Sequence, residues 1–206
     1  MAINVLEYAA ISKQQFVSSS YDKPVIGLDR DGVINLCDPS GAHVWKKEDF
    51  KPIPGSLEAI AMIRSKGYKI IIITNQGGID TGQYTMSDID QLHQYMFELF
   101  GQAGCPSIDG LYYSASLNKN DPYVKPNTEM FKRAENETNV KFSEGWYVGD
   151  SISDIKASIK MNAKPVLVRT GNGELTEQEL GKFAYRDLKK KVTVFDNLLE
   201  FAISLS

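Results

Sequence analysis

The stretch Val25-Ile26-Gly27-Leu28-Asp29-Arg30-Asp31-Gly32-Val33-Ile34-Asn35 decides how this 206-residue chain is read. Val25 to Leu28 is apolar without alternation, as in a strand covered on both faces, and it stops at two carboxylates spaced i and i+2. Both leave one strand end toward one site. Like charges that close resist joint ionisation, so one pKa rises or a cation is recruited between them. One group can then be an ionised nucleophile while the other shuttles a proton. Gly32 lets the chain turn sharply away. An isolated Asp-x-Asp is usually a solvated turn; a buried strand before it and a glycine after it favour a site.

Outward from this stretch, apolar runs alternate with helical patterns. Strands are expected at Pro24 to Leu28, Lys69 to Thr74, Gly110 to Ser114, Gly145 to Gly149, Pro165 to Val168 and Val192 to Phe195. Helices are expected over Ser56 to Lys66, Ser87 to Gly101, Thr128 to Thr138, Ser153 to Met161 and Asn197 to Ser204. The alternation predicts an α/β fold around a parallel sheet, and the β-branched run Ile70 to Ile73 suits a central strand. Pro54-Gly55-Ser56 opens the first helix and Gly67 closes it. Ser87 is expected to cap the second with Asp90 three residues on. Residues 1–22 read as an N-terminal extension, with Val5 to Phe16 a candidate amphipathic helix, and residues 23–206 as one domain. Ligands of open parallel sheets bind beyond the carboxyl ends of the strands, so the polar residues found there belong together.

Three more segments fit that rule. Ile70-Ile71-Ile72-Ile73-Thr74-Asn75-Gln76-Gly77-Gly78-Ile79 ends a strand in a hydroxyl and two amides, neutral groups able to hold phosphate oxygens. Val124-Lys125-Pro126-Asn127 places a lysine at a helix mouth, where its ammonium can neutralise an incoming phosphoryl group and the Asp29 carboxylate. Trp146-Tyr147-Val148-Gly149-Asp150-Ser151-Ile152-Ser153-Asp154 ends a strand at one carboxylate with a second at i+4. Asp29, the main-chain carbonyl of Asp31, and Asp150 offer hard oxygen ligands to a small cation that keeps its waters, a description magnesium fits. Asp154 has three open readings: holding a metal-bound water, orienting Lys125, or serving only as an acidic residue at a helix N-terminus.

The order Asp-x-Asp, Thr, Lys, Gly-Asp-x3-Asp resembles the haloacid dehalogenase superfamily. The resemblance implies a three-layer Rossmann-like core and a phosphatase in which Asp29 forms an aspartyl-phosphate. Asp31 would protonate the leaving group and then activate water, with Thr74 and Lys125 on the phosphate and Asn75 a further substrate contact. A receiver domain uses similar residues in a different order.

Asp109-Gly110-Leu111-Tyr112-Tyr113 and Val168-Arg169-Thr170-Gly171 further resemble the branch that holds D-glycero-D-manno-heptose 1,7-bisphosphate and histidinol-phosphate phosphatases. That branch has no large cap domain, and the spacing agrees: neither the 35–70 nor the 76–125 interval has room for one. Substrate choice is then expected in the loops Leu36 to Phe50 and Ser114 to Val124, with packing or surface roles favoured over substrate contact for His43 and Trp45. The second loop has no Cys or His where the branch often has a zinc loop, so no zinc is expected. Val124 stands where the branch commonly has an arginine.

A net charge of −3 gives no basic field, and the Lys189-Lys190-Lys191 run reads as a solvated stretch, so a nucleic-acid partner is not expected. Two distant cysteines suit a reducing compartment, and no apolar run approaches ~18 residues, so the cytoplasm is the expected location and no membrane association is expected. The expected substrate is a small phosphorylated metabolite of carbohydrate metabolism; oligomeric state is left open. A polynucleotide 3′-phosphatase, a phosphoryl transferase and a non-catalytic binding protein are the alternatives, the last disfavoured by the intact acidic, Thr and Lys set.

Overall fold

The computed structural model describes residues 2–4, 23–37 and 43–206. The candidate helix Val5 to Phe16 lies outside them, as does the middle of the loop from Leu36 to Phe50. Seven strands form one sheet: β1 (Ala2–Asn4), β2 (Val25–Leu28), β3 (Lys69–Asn75), β4 (Gly110–Ser114), β5 (Trp146–Gly149), β6 (Lys164–Val168) and β7 (Thr193–Phe195). Their spatial order is β1-β4-β3-β2-β5-β6-β7. β2 to β7 run parallel, whereas β1, which the sequence reading did not anticipate, adds antiparallel to the β4 edge. The helices are α1 (Ser56–Ser65), α2 (Met86–Gln102), α3 (Glu129–Thr138), α4 (Ile152–Lys160), α5 (Gly173–Leu180), α6 (Arg186–Lys189) and α7 (Leu198–Ser204).

The isoleucine run in β3 shows why the sheet is buried on both sides. Ile70 and Ile72 join a core with Ile60 and Ile63 of α1, Leu92 and Met96 of α2, and Phe201 of α7. Ile71 and Ile73 face the opposite layer, against Met130, Phe131 and Ala134 of α3 and Ala157 of α4. The result is a helix–sheet–helix sandwich of the Rossmann-like type. Between β2 and β3 lie a short 3-10 turn at Lys47–Asp49 and α1; between β3 and β4 lie a 3-10 turn at Gly77–Ile79 and α2. Among the described residues neither interval builds a cap.

Two local expectations change. Thr85, not Ser87, caps α2: its hydroxyl accepts from the Asp88 N–H while Asp88 accepts from Thr85 N–H, and Asp90 instead accepts from the Tyr113 hydroxyl. The capping box formed two residues early because Thr85-x-x-Asp88 satisfies both free donors. In addition, α5 and α6 fill a stretch for which no element was expected.

The register aligns the strand ends that matter. Leu28 pairs with Ile72 on one side and Val148 on the other. Asp29 therefore leaves β2 one level below Thr74 on β3 and Asp150 just beyond β5, at the carboxyl edge where an open parallel sheet binds ligands.

Candidate active site

Lys125 organises the site. Its ammonium lies 2.8 Å from Asp29 Oδ1 and 2.8 Å from Asp154 Oδ1, and it donates to Tyr147 Oη at 3.1 Å and Ile73 O at 3.0 Å. The Asp29 contact is an ion pair whose angle departs from hydrogen-bond geometry. Burial alone would depress this lysine's pKa, but the Asp154 and Asp29 carboxylates hold it well above the ordinary value. Asn75, expected at the substrate, has both ends of its amide on the Lys125 main chain: Oδ1 accepts Lys125 N–H at 3.0 Å and Nδ2 donates to Lys125 O at 3.4 Å.

Asp154 does two of the things its position allowed. Oδ1 accepts from Lys125, and Oδ2 accepts from Ser151 N–H and the Ser151 hydroxyl in a capping box at the start of α4. Asp150 sits between two glycines in left-handed conformation. A Cβ on Gly32 (φ +83°) would meet Asp150 Oδ2 at 2.1 Å and one on Gly171 (φ +58°) would meet it at 2.3 Å. Asp150 Oδ2 also accepts from the Asn172 N–H at 2.8 Å.

Asp29, Asp150 and Asp154 bring carboxylate oxygens within 4.8 Å of one another. Burial, opposed in part by Lys125, pushes the Asp29 carboxyl up to about 6; burial with the Asp154 and Asp29 charges pushes Asp150 to about 8. One ammonium thus leaves negative charge uncompensated, and buried hard oxygens with excess charge fit a divalent cation such as magnesium. Both Asp154 oxygens are spent on Lys125 and Ser151, so Asp29 and Asp150 are the side chains free to ligate.

Asp31 lives in a different environment. Arg30 Nη2 donates to its Oδ2 at 2.8 Å and Oδ1 at 3.0 Å, Asn35 Nδ2 to Oδ1 at 2.8 Å, and Gln76 Nε2 to Oδ2 at 3.1 Å. Burial would raise its pKa, but the Arg30 charge, with hydrogen bonds from His43 and Asn35, holds it well below the carboxylate range. The side chain is thus committed away from the metal-ligand cluster, leaving its main-chain carbonyl as the group that could ligate. His43, for which packing was favoured, reaches the site, with Nδ1 3.4 Å from Asp31 Oδ2, while Trp45 stacks on Tyr84 at 5.7 Å. Thr74 is buried beside this cage and its Oγ1 accepts from Gln76 Nε2 at 3.1 Å.

Residues 7–162 match the profile of haloacid dehalogenase-like hydrolases. The chain belongs to that family. Within it, the chain is 34% identical over 179 residues to D-glycero-beta-D-manno-heptose-1,7-bisphosphate 7-phosphatase of Neisseria meningitidis, covering 86% of this chain and 92% of that protein. The protein of the same name from Pseudomonas aeruginosa is 34% identical over 86% of this chain and 95% of its own. The crystal structure of D,D-heptose 1,7-bisphosphate phosphatase from B. bronchiseptica, complexed with magnesium and phosphate, superposes with a TM-score of 0.78 at 27% identity, covering 88% of this chain and 96% of that one. The hydrolase fold and the branch expected from the motifs are therefore both met.

Several site residues escaped the sequence reading, namely Arg30, Asn35, Tyr147 and Asn172, while Gln76, read there as an amide able to hold phosphate oxygens, instead donates to Asp31 and Thr74. Arg30 and Asn35 stood inside the quoted first segment, where their proximity to Asp31 was a usable signal. Tyr147 read as strand core, and nothing local marks its hydroxyl as a Lys125 partner. The loop before Lys125 is held by its own polar groups: Asn127 Nδ2 donates to Lys119 O and Asp121 O, and Tyr123 N–H donates to Asp121 Oδ1.

Proposed function

We propose that this hydrolase is a magnesium-dependent phosphatase acting on a small phosphorylated sugar in the cytoplasm, with D-glycero-D-manno-heptose 1,7-bisphosphate the leading candidate substrate. The observation that carries the reading is the division of labour at the end of β2. Asp29 is paired to Lys125 beside Asp150, while Asp31, two residues on, is caged separately by Arg30, Asn35 and Gln76. Opposed environments for neighbouring carboxylates are how one site obtains both a nucleophile and a proton shuttle.

In this mechanism Asp29 attacks phosphorus in line, and Lys125 with Thr74 faces the phosphoryl oxygens. Asp29, Asp150 and the Asp31 carbonyl would hold magnesium, which supplies charge stabilisation to the transferring group. The negative charge of the substrate phosphate opposes ionisation of Asp31, so that it can carry a proton to the departing alkoxide. Once the leaving group is gone, Arg30 again favours the ionised form, which takes a proton from the water that hydrolyses the aspartyl-phosphate. The heptose preference rests on the names of the 34%-identical proteins. Val124 in the loop that precedes Lys125 makes histidinol phosphate the arm to compare.

Phosphate release should be measured across heptose bisphosphates, histidinol phosphate, other sugar phosphates and a 3′-phosphorylated oligonucleotide, with magnesium or chelator. Preferential, chelator-sensitive release from one sugar phosphate is expected; preference for the oligonucleotide, or turnover untouched by chelation, contradicts the reading.

A further inference from the structure

Arg30, which the mechanism above uses to favour ionised Asp31, is itself paired with a buried residue to which that mechanism gives no part, His93. Arg30 is fully buried and its guanidinium is shared among three elements. Nη2 grips both oxygens of Asp31 and also donates to the Val44 carbonyl, between His43 and Trp45 in the loop expected to carry substrate choice. Nη1 lies 3.1 Å from Nε2 of His93 on α2, itself 1% exposed.

Arginine has only donors, so Nε2 must accept and the imidazole proton must sit on Nδ1. That Nδ1 is buried with no hydrogen-bond partner among the described residues. The ring instead lies 5.6 Å from that of Tyr113, whose hydroxyl donates to Asp90 at 3.1 Å. A buried donor without an acceptor costs stability that an apolar residue here would not. The residue type is explained by what Nη1 requires. An apolar neighbour would leave that N–H unmet, and a carboxylate would compete with Asp31 for the guanidinium charge. An uncharged acceptor satisfies Arg30 and leaves its charge to Asp31.

We propose that His93 is a positioning residue for the proton shuttle: by accepting from Arg30 Nη1 it seats the guanidinium that holds Asp31, and so supports the water-activating half of the reaction. The inference rests on the phosphatase reading. Its direct structural content is the tautomer, and its functional content is a selective slowing of aspartyl-phosphate hydrolysis.

Two measurements test it. Nitrogen-15 NMR of the imidazole in the full-length protein should show the proton on Nδ1 at neutral pH; a proton on Nε2 overturns the proposal whatever the activity. Pre-steady-state turnover of p-nitrophenyl phosphate, whose leaving group needs no protonation, separates the half-reactions. His93→Leu should keep a burst of about one equivalent per site while its steady-state rate falls about tenfold or more and KM falls with it, leaving kcat/KM nearly unchanged. His93→Gln, which keeps an uncharged acceptor, should recover most of the rate, with thermal unfolding confirming that both variants are folded. Wild-type turnover in His93→Leu, or burst and steady rate falling in parallel, overturns this inference alone. Absence of turnover by the wild type with this ester and every sugar phosphate overturns the phosphatase reading and this role with it.

Discussion

Asp154 and Lys125 share a buried ion pair of 2.8 Å, and the same ammonium stands 2.8 Å from Asp29. Asp154 is thus what fixes Lys125 over Asp29, the proposed nucleophile. Asp154→Asn keeps the shape but removes the charge, and activity should fall by about 10- to 100-fold, mainly in kcat, as steady-state kinetics would show. A fall below about threefold would mean that Tyr147 and Ile73 hold the lysine without it.

Tyr147 donates to Ile73 O at 2.7 Å while accepting from Lys125. Tyr147→Phe leaves a buried carbonyl and the ammonium each one partner short. Stability should drop by about 1–2 kcal/mol in urea unfolding, with activity reduced less than in Asp154→Asn.

Gly171 has φ +58°, and a Cβ there would also approach Gly32 Cα at 2.5 Å. Gly171→Ala should displace Asp150 and weaken magnesium binding by at least about tenfold in calorimetry, because both strain and contact act on the ligand.

The raised carboxyls set a pH dependence for the metal-free protein. Asp29 near 6 and Asp150 near 8 keep protons in the folded state that the unfolded chain, at 3.8, has already released. Stability should therefore fall as pH rises from about 4 to 8. Magnesium displaces those protons, so its stabilisation of Tm should be larger at about pH 8 than at about pH 6. A metal-induced shift independent of pH would contradict the shared carboxylate site.

Much of this was legible because the chemistry sits at strand ends. The Ile70 to Ile73 run and the Val25 to Leu28 run mark two central strands; Asp29 and Asp150 directly follow strands, Asp31 lies two residues beyond Asp29, and Thr74 is the penultimate residue of β3. α5 was not legible, since Gly-Glu-Leu-Thr-Glu-Gln-Glu-Leu buries only Gly173, Thr176 and Leu180 and shows no apolar stripe. The Arg30–His93 contact spans 63 residues, and Tyr147 looks like any apolar strand position; such pairings are made by packing. Asn75 shows the converse, a correct place in the motif with its amide turned to the main chain.

The central claim is that Asp29 carries the phosphoryl group. Rapid acid quench during turnover of the preferred sugar phosphate, followed by borohydride reduction and peptide mass spectrometry, should find homoserine at position 29, and Asp29→Asn should release no phosphate. Phosphate release with residue 29 unmodified at every quench time, together with turnover by Asp29→Asn, would contradict it.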